Sequence, residues 1–254
     1  MKKIILFLLL CTVSVVDYAQ ENEVNFTADR PGASTGPDVL DFKQVLWETG
    51  FEGYYAGTYN VVLPTTMFRF GITKFAELRL EYDGVLAQLE ENPRDWKYEV
   101  LPLAIGTKVK VFEGYKWIPK ISLMANLAIP LTKAQFSEYH VAPSVHLLFQ
   151  NNVTDWFNIG YDVGADWDGI SAIPATFLAV SLGFNITENL GAYIESYNYF
   201  VKYGIRNTEA ECNLDFGFSY QVHPRVQLDI YGAFNCQDPK SVACIGLGVA
   251  WMIH

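Results

Sequence analysis

Charge is scarce in this 254-residue chain, where Asp, Glu, Lys and Arg together make up 18% of the residues and hydrophobic residues 50%. The 18 Lys and Arg form no cluster of the kind that grips phosphates, and the formal net charge is −10, so nucleic acid is excluded as a partner. Cysteine and histidine are equally sparse, at four each, with no CxxC pair and no His-rich stretch. No metal site and no cofactor are therefore expected. Long hydrophobic runs are missing too. The longest, Ile4 to Val16, is shorter than the roughly 20 residues a membrane helix needs. No stretch of useful length beyond it has helical period, and no linker divides the chain.

What the chain has is alternation. From Phe157 to Trp167 one face carries Phe157, Ile159, Tyr161, Val163, Ala165 and Trp167, and the other Asn158, Gly160, Asp162, Gly164 and Asp166. A period of two is the signature of a β-strand, and this length matches the roughly 9–11 residues of a tilted strand that crosses a bilayer. Aromatics close the apolar face at both ends, as interfacial girdles do. The same alternation returns at Leu78 to Tyr82, Leu178 to Phe184, Leu214 to Tyr220, Val226 to Ile230 and Ile245 to Ile253.

The punctuation is regular as well. Short turns of similar form occur at Gly71 to Lys74, Asn152 to Asp155, Asn185 to Glu188 and Gln221 to Pro224. Their spacing fits two membrane-length strands plus a longer connection, so the repeating unit is a hairpin. Longer polar linkers occupy the opposite ends: Gln88 to Asp95, Leu131 to Glu138, Asp168 to Ala172, Gly204 to Glu209 and Gln237 to Val242. The expected fold is all-β, a single antiparallel transmembrane β-barrel of about 12 strands, with short periplasmic turns and longer extracellular loops. Closure is what satisfies every strand hydrogen bond in lipid.

Three regions follow. Residues 1–19, opening Met1-Lys2-Lys3 and ending Tyr18-Ala19, resemble a secretory signal cleaved after Ala19, although Asp17 departs from the small-residue rule. A lipid anchor on Cys11 is disfavoured by the bulky Leu10 and by the apolar run continuing past the cysteine. Residues 20–41 read as a periplasmic leader. Its stretch from Asn25 to Pro37 is rich in turn formers and lacks alternation, so it is either an unstructured leader, the plainer reading, or a tether folded into the periplasmic mouth, with Asp29 and Arg30 meeting interior charges. Residues 42–254 form the barrel of an outer-membrane protein. Its partners are outer-membrane lipids, the barrel-assembly machinery and a small organic solute.

With the apolar faces toward lipid, the opposite faces line the lumen. Those positions hold Glu48, Glu52, Arg69, Glu77, Arg79, Glu81, Asp83, Lys108, Lys110, Asp162, Asp166, Tyr193, Glu195, Tyr197, Asp215, Asp229 and Tyr231. Such a polar interior is either a selective pathway or a set of charges that pair to fill a narrow barrel. Replacing Asp162 by Asn is expected to alter selectivity alone, whereas a charge at Val163 should impair assembly. Cys236 and Cys244 flank a hairpin connection, where a cross-hairpin disulfide is geometrically allowed in an oxidising compartment.

Thr27-Ala28-Asp29-Arg30-Pro31-Gly32, followed by Gln44 to Phe51, Phe68-Arg69-Phe70-Gly71-Ile72 and Glu77-Leu78-Arg79-Leu80, resembles a family of outer-membrane transporters associated with the meta-pathway of phenol degradation. The resemblance implies an outer-membrane barrel and passive uptake of small organic, including aromatic, solutes. It supplies no catalytic residues. An outer-membrane lipid-modifying enzyme would need a nucleophile and base, and Ser144 and His146 do share a strand face. That face points into the lumen, away from lipid, so no catalytic residue is assigned and the chain is not read as an enzyme. A structural or adhesion barrel with a plugged lumen is the alternative. A soluble secreted barrel would turn the apolar faces inward, and the glycines on the polar faces disfavour it.

Overall fold

The computed structural model describes residues 27–254 apart from 57, 90–91, 93, 132–139, 204–206 and 239–241. The proposed signal peptide and Cys11 lie outside the described residues, as does most of the Leu131 to Glu138 linker. Fourteen strand segments follow one another: β1 (Val45–Ala56), β2 (Tyr59–Thr73), β3 (Ala76–Glu81), β4 (Gly84–Gln88), β5 (Trp96–Val100), β6 (Leu103–Phe112), β7 (Lys120–Ile129), β8 (Ala142–Asn152), β9 (Phe157–Asp166), β10 (Ala175–Asn185), β11 (Leu190–Tyr203), β12 (Asn207–His223), β13 (Val226–Asn235) and β14 (Val242–Met252).

All pairings are antiparallel and join sequential neighbours except at β3/β4 and β5/β6, and β1 pairs with both β2 and β14, which closes the sheet into a ring. Segments β3 and β4 are one stave broken at Tyr82-Asp83, since both pair with β2. Segments β5 and β6 are likewise one stave, broken at Leu101-Pro102, where proline has no N–H for the ladder. The fourteen segments therefore make twelve staves, the expected barrel. The connection from β1 to β2 is short, and strand pairing from Tyr203↔Asn207 onward takes up part of the linker expected over Gly204 to Glu209.

The sorting of side chains is inverted relative to a soluble protein. Leu123, Val145, Val163, Leu178, Phe216, Leu228 and Ile245 are exposed, while Glu48, Arg69, Glu77, Lys108, Asp162, Glu195 and Asp215 are buried. Water would not stabilise that arrangement; lipid outside a polar bore does. Aromatic side chains gather at the turn end, where Trp156 and Phe157 both stack on Phe184. Trp47, Phe68 and Trp251 form a second group there, as an interfacial girdle requires. Trp167 falls just past β9, its indole N–H donating to the Ala172 carbonyl at 3.3 Å.

The apolar core is small and lies where the chain enters the bore. Leu40 packs against the inward-facing Leu46, Ala250 and Met252. Backbone N–H groups of Lys43 and Gly71 donate to the carbonyls of Gly71 and Gln44, both at 2.9 Å, fixing the entry. Gly71 is required at this crossing, because a Cβ there would fall 1.8 Å from the Asp41 carbonyl oxygen.

A segment bound inside the bore

Residues 27–41 run through the barrel. Their hydrogen-bond partners lie on β1, β2, β3, β6, β7, β9, β11 and β13, which surround the bore and cannot all be reached from outside. Of the two readings left open for Asn25 to Pro37, the unstructured leader is corrected over the described residues, where Asp29 and Arg30 meet interior charges as the tether reading had it. Its lack of alternation reflects a path held by backbone N–H groups rather than by one face of a strand.

Asp29 is the hub at one end. Its carboxylate receives Lys108 Nζ at 3.0 Å, lies 3.4 Å from Arg69 Nη1, and is contacted by Arg79. Its N–H and that of Arg30 donate to Glu48, the latter at 2.9 Å. Glu77 completes the cluster, taking Arg69 Nε and Nη2 at 2.8 Å each and the Leu40 N–H at 2.9 Å. Three carboxylates, Asp29, Glu48 and Glu77, thereby face three cations, Arg69, Arg79 and Lys108. Burial alone would raise the pKa of Asp29, but Arg69, Lys108 and Arg79 outweigh it and hold the carboxyl well below the usual carboxylate range.

Arg30 makes the next tie. Its Nη2 and Nε reach the two carboxylate oxygens of Asp229 at 3.2 and 3.3 Å, and Nη1 reaches Thr65 Oγ1 at 3.1 Å. The Tyr231 ring lies beneath the guanidinium, 5.9 Å from its centroid. Across the bore, Glu195 accepts the N–H groups of Ala33 and Ser34 at 2.8 and 2.9 Å and the Ser34 hydroxyl. Asp162 accepts the Thr35 N–H at 3.3 Å. The returning chain gives carbonyls to Lys108, Ser122 and Arg69, from Gly36, Pro37 and Asp38 respectively, before Lys120 meets the Asp38 carboxylate at 2.8 Å.

The remaining interior positions fall into local groups. Asp215 accepts the Tyr193 hydroxyl at 3.2 Å and stands directly across from Glu195 in the β11–β12 register. Tyr197 meets Tyr199 edge to face. Asp83 accepts the Thr66 N–H at 2.8 Å, and Glu52 accepts the Cys244 thiol at 3.3 Å. Lys110 pairs locally with Glu113 at 2.8 Å instead of joining the central cluster. His146, expected to face the lumen beside Ser144, has its ring nitrogens 2.7 Å from Asp162 and 3.0 Å from Asp166. A carboxylate only accepts, so the geometry is satisfied when both nitrogens donate, and neither serves the Ser144 hydroxyl. That hydroxyl instead accepts from Asn126 Nδ2 at 3.3 Å.

Cavities remain on both sides of the segment. One, of about 600 Å³, opens toward the turn end among Thr35, Asn158, Ser181, Asn185 and Ser219. The other, of about 280 Å³, is lined by Glu52, Glu81, Asp83, Arg79 and Tyr231. The disulfide expected between Cys236 and Cys244 is absent. The β13–β14 register sets Cys244 across from Ala233, and Cys244 points inward to Glu52, out of reach of Cys236.

The barrel is similar in fold to the crystal structure of the COG4313 outer membrane channel from Pseudomonas putida F1, with a TM-score of 0.65 and 8% identity over 88% of this chain and 100% of that one. It is similar also to the NanC porin, at a TM-score of 0.55 and 12% identity over 80% and 98% of the two chains. The KdgM porin gives a TM-score of 0.51 and 10% identity over 82% and 99%. None of the curated proteins matches the chain. A family model matches residues 28–253, from the bore segment to the last strand, and the chain belongs to the outer-membrane barrel family described as "Putative MetA-pathway of phenol degradation".

Proposed function

We propose that this outer-membrane barrel is a passive conduit for small organic solutes, with residues 27–41 as a plug that leaves or shifts when the conduit opens. The observation that carries this reading is the plug itself. It is held by side-chain contacts and flanked by cavities of about 600 and 280 Å³, so the bore is wider than the barrel's own side chains fill. Porin and channel barrels of similar fold support the reading, and the family's description together with Tyr193, Tyr197, Tyr199 and Tyr231 supports aromatic solutes. The lumen-lining roles of the charged residues belong to the same proposal. Carboxylates at Glu52, Glu81 and Asp83 beside the smaller cavity favour cations or neutral molecules over anions.

The ion pairs of Asp29, Arg30 and Asp38 in the plug favour a second reading, a permanently closed structural barrel. Uptake into liposomes separates the two. Phenols, aromatic acids and sugars are offered to vesicles carrying the whole chain. Entry of any of them above empty vesicles supports the conduit; entry of none, from the whole chain and from a chain lacking residues 27–41 alike, supports the structural barrel.

A further inference from the structure

We infer that Cys212 and Cys236 form a disulfide across β12 and β13 at the loop end of the barrel. Asn213 stands opposite Asn235 in the register, and the Cys236 N–H donates to the Cys212 carbonyl at 2.8 Å, so the two cysteines are the next directly opposed pair. A hydrogen-bonded antiparallel pair holds its Cα atoms about 5.5 Å apart, within the range of about 4.4–6.8 Å that a disulfide spans.

Both side chains leave the sheet on the same side. Asn213 and Asn235 are buried and bond to each other inside the bore, Nδ2 to Oδ1 at 3.2 Å, so their neighbours Cys212 and Cys236 point outward together. Both are free thiols in this structure, standing on the same face at paired positions, and the bond between them is what we infer for the exported protein. Cys244 faces the opposite way, donating to Glu52. The sheet thus sorts three cysteines into one pair and one single thiol.

The chemistry is thiol–disulfide exchange with a disulfide-carrying donor protein of the periplasm, the compartment an exported barrel crosses. One cysteine thiolate attacks the donor disulfide and forms a mixed disulfide, releasing one donor thiolate. The second cysteine thiolate then displaces the other donor sulfur. The two protons pass from the cysteines to the donor, which leaves as a dithiol carrying both electrons. The product ties the start of β12 to the end of β13, at the base of the connection to β14.

The test is thiol counting on the full chain in outer membranes, denatured with an excess of maleimide reagent and mapped by peptide mass. Of Cys212, Cys236 and Cys244, only Cys244 should react before reduction, and all three after it. A linked peptide pair containing Cys212 and Cys236 should appear in the unreduced digest. In a Cys236→Ser variant, Cys212 should become reactive without reduction. Labelling of both Cys212 and Cys236 in the unreduced natural chain, or linkage of either to Cys244, overturns the inference.

Discussion

Arg30 and Asp229 are joined as a fork, Nε and Nη2 of one on the two carboxylate oxygens of the other at 3.3 and 3.2 Å, in a notch made by two missing side chains. Gly50 and Gly248 stand opposite each other across β1 and β14, and a Cβ on Gly248 would fall 2.3 Å from Arg30 Nε. The three atoms nearest that position all belong to Arg30, whereas a Cβ on Gly50 would also strike the Leu247 carbonyl oxygen. Gly248→Ala is therefore expected to dislodge the plug without disturbing the wall. Single-channel recording should show a several-fold gain in open time at unchanged barrel yield.

Asp229→Ala removes the partner of a largely buried guanidinium. Breaking a buried pair costs about 3–5 kcal/mol, much of it the stranded charge, so docking of the segment should weaken by that order. Gly36 gives a site to read this from, because a side chain there meets nothing within 4 Å. In a chain whose other cysteines are serine, maleimide should modify Gly36→Cys faster when Asp229→Ala is added.

Acid should act late through Asp29. Because its folded pKa is depressed, Asp29 contributes fully to docking above its ordinary value of 3.8 and loses the contribution only as pH falls through the lower folded value. As far as this group is concerned, modification of Gly36→Cys should not change between neutrality and about pH 4. An electron-spin label at residue 36 extends the measurement into stronger acid, where its mobility should rise.

The wall and the bore should respond oppositely to charge. Val163 is 42% exposed on the lipid face, and Val163→Lys should cost about 2–4 kcal/mol at mid-membrane depth, seen as loss of the heat-modifiable folded band on gels. Asp162→Asn, expected from sequence to touch selectivity alone, sits 1% exposed against His146 and accepts the Thr35 N–H. It should spare folding yield relative to Val163→Lys and loosen the plug.

Alternation made the wall legible. In Phe157 to Asp166 each residue announces its side, and a soluble or membrane setting differs only in which side is wet. The bore's contents were legible as an inventory but not as pairs, because pairing is decided by a segment without period. Ala33, Ser34 and Thr35 engage Glu195 and Asp162 through backbone N–H groups that every residue except proline owns. His146 was hidden likewise, since its partners Asp162 and Asp166 come from the next strand by register. The cysteines show the same limit: Cys236 and Cys244 are close in sequence, yet the sheet sets Cys236 beside Cys212.

Planar-bilayer conductance of the whole chain against a chain lacking residues 27–41 decides whether the segment is a plug in a conduit. The whole chain should be closed or open only briefly, and the shortened chain should conduct steadily, with a reversal potential showing preference for cations. Equal conductance from both chains, or none from either, would contradict it.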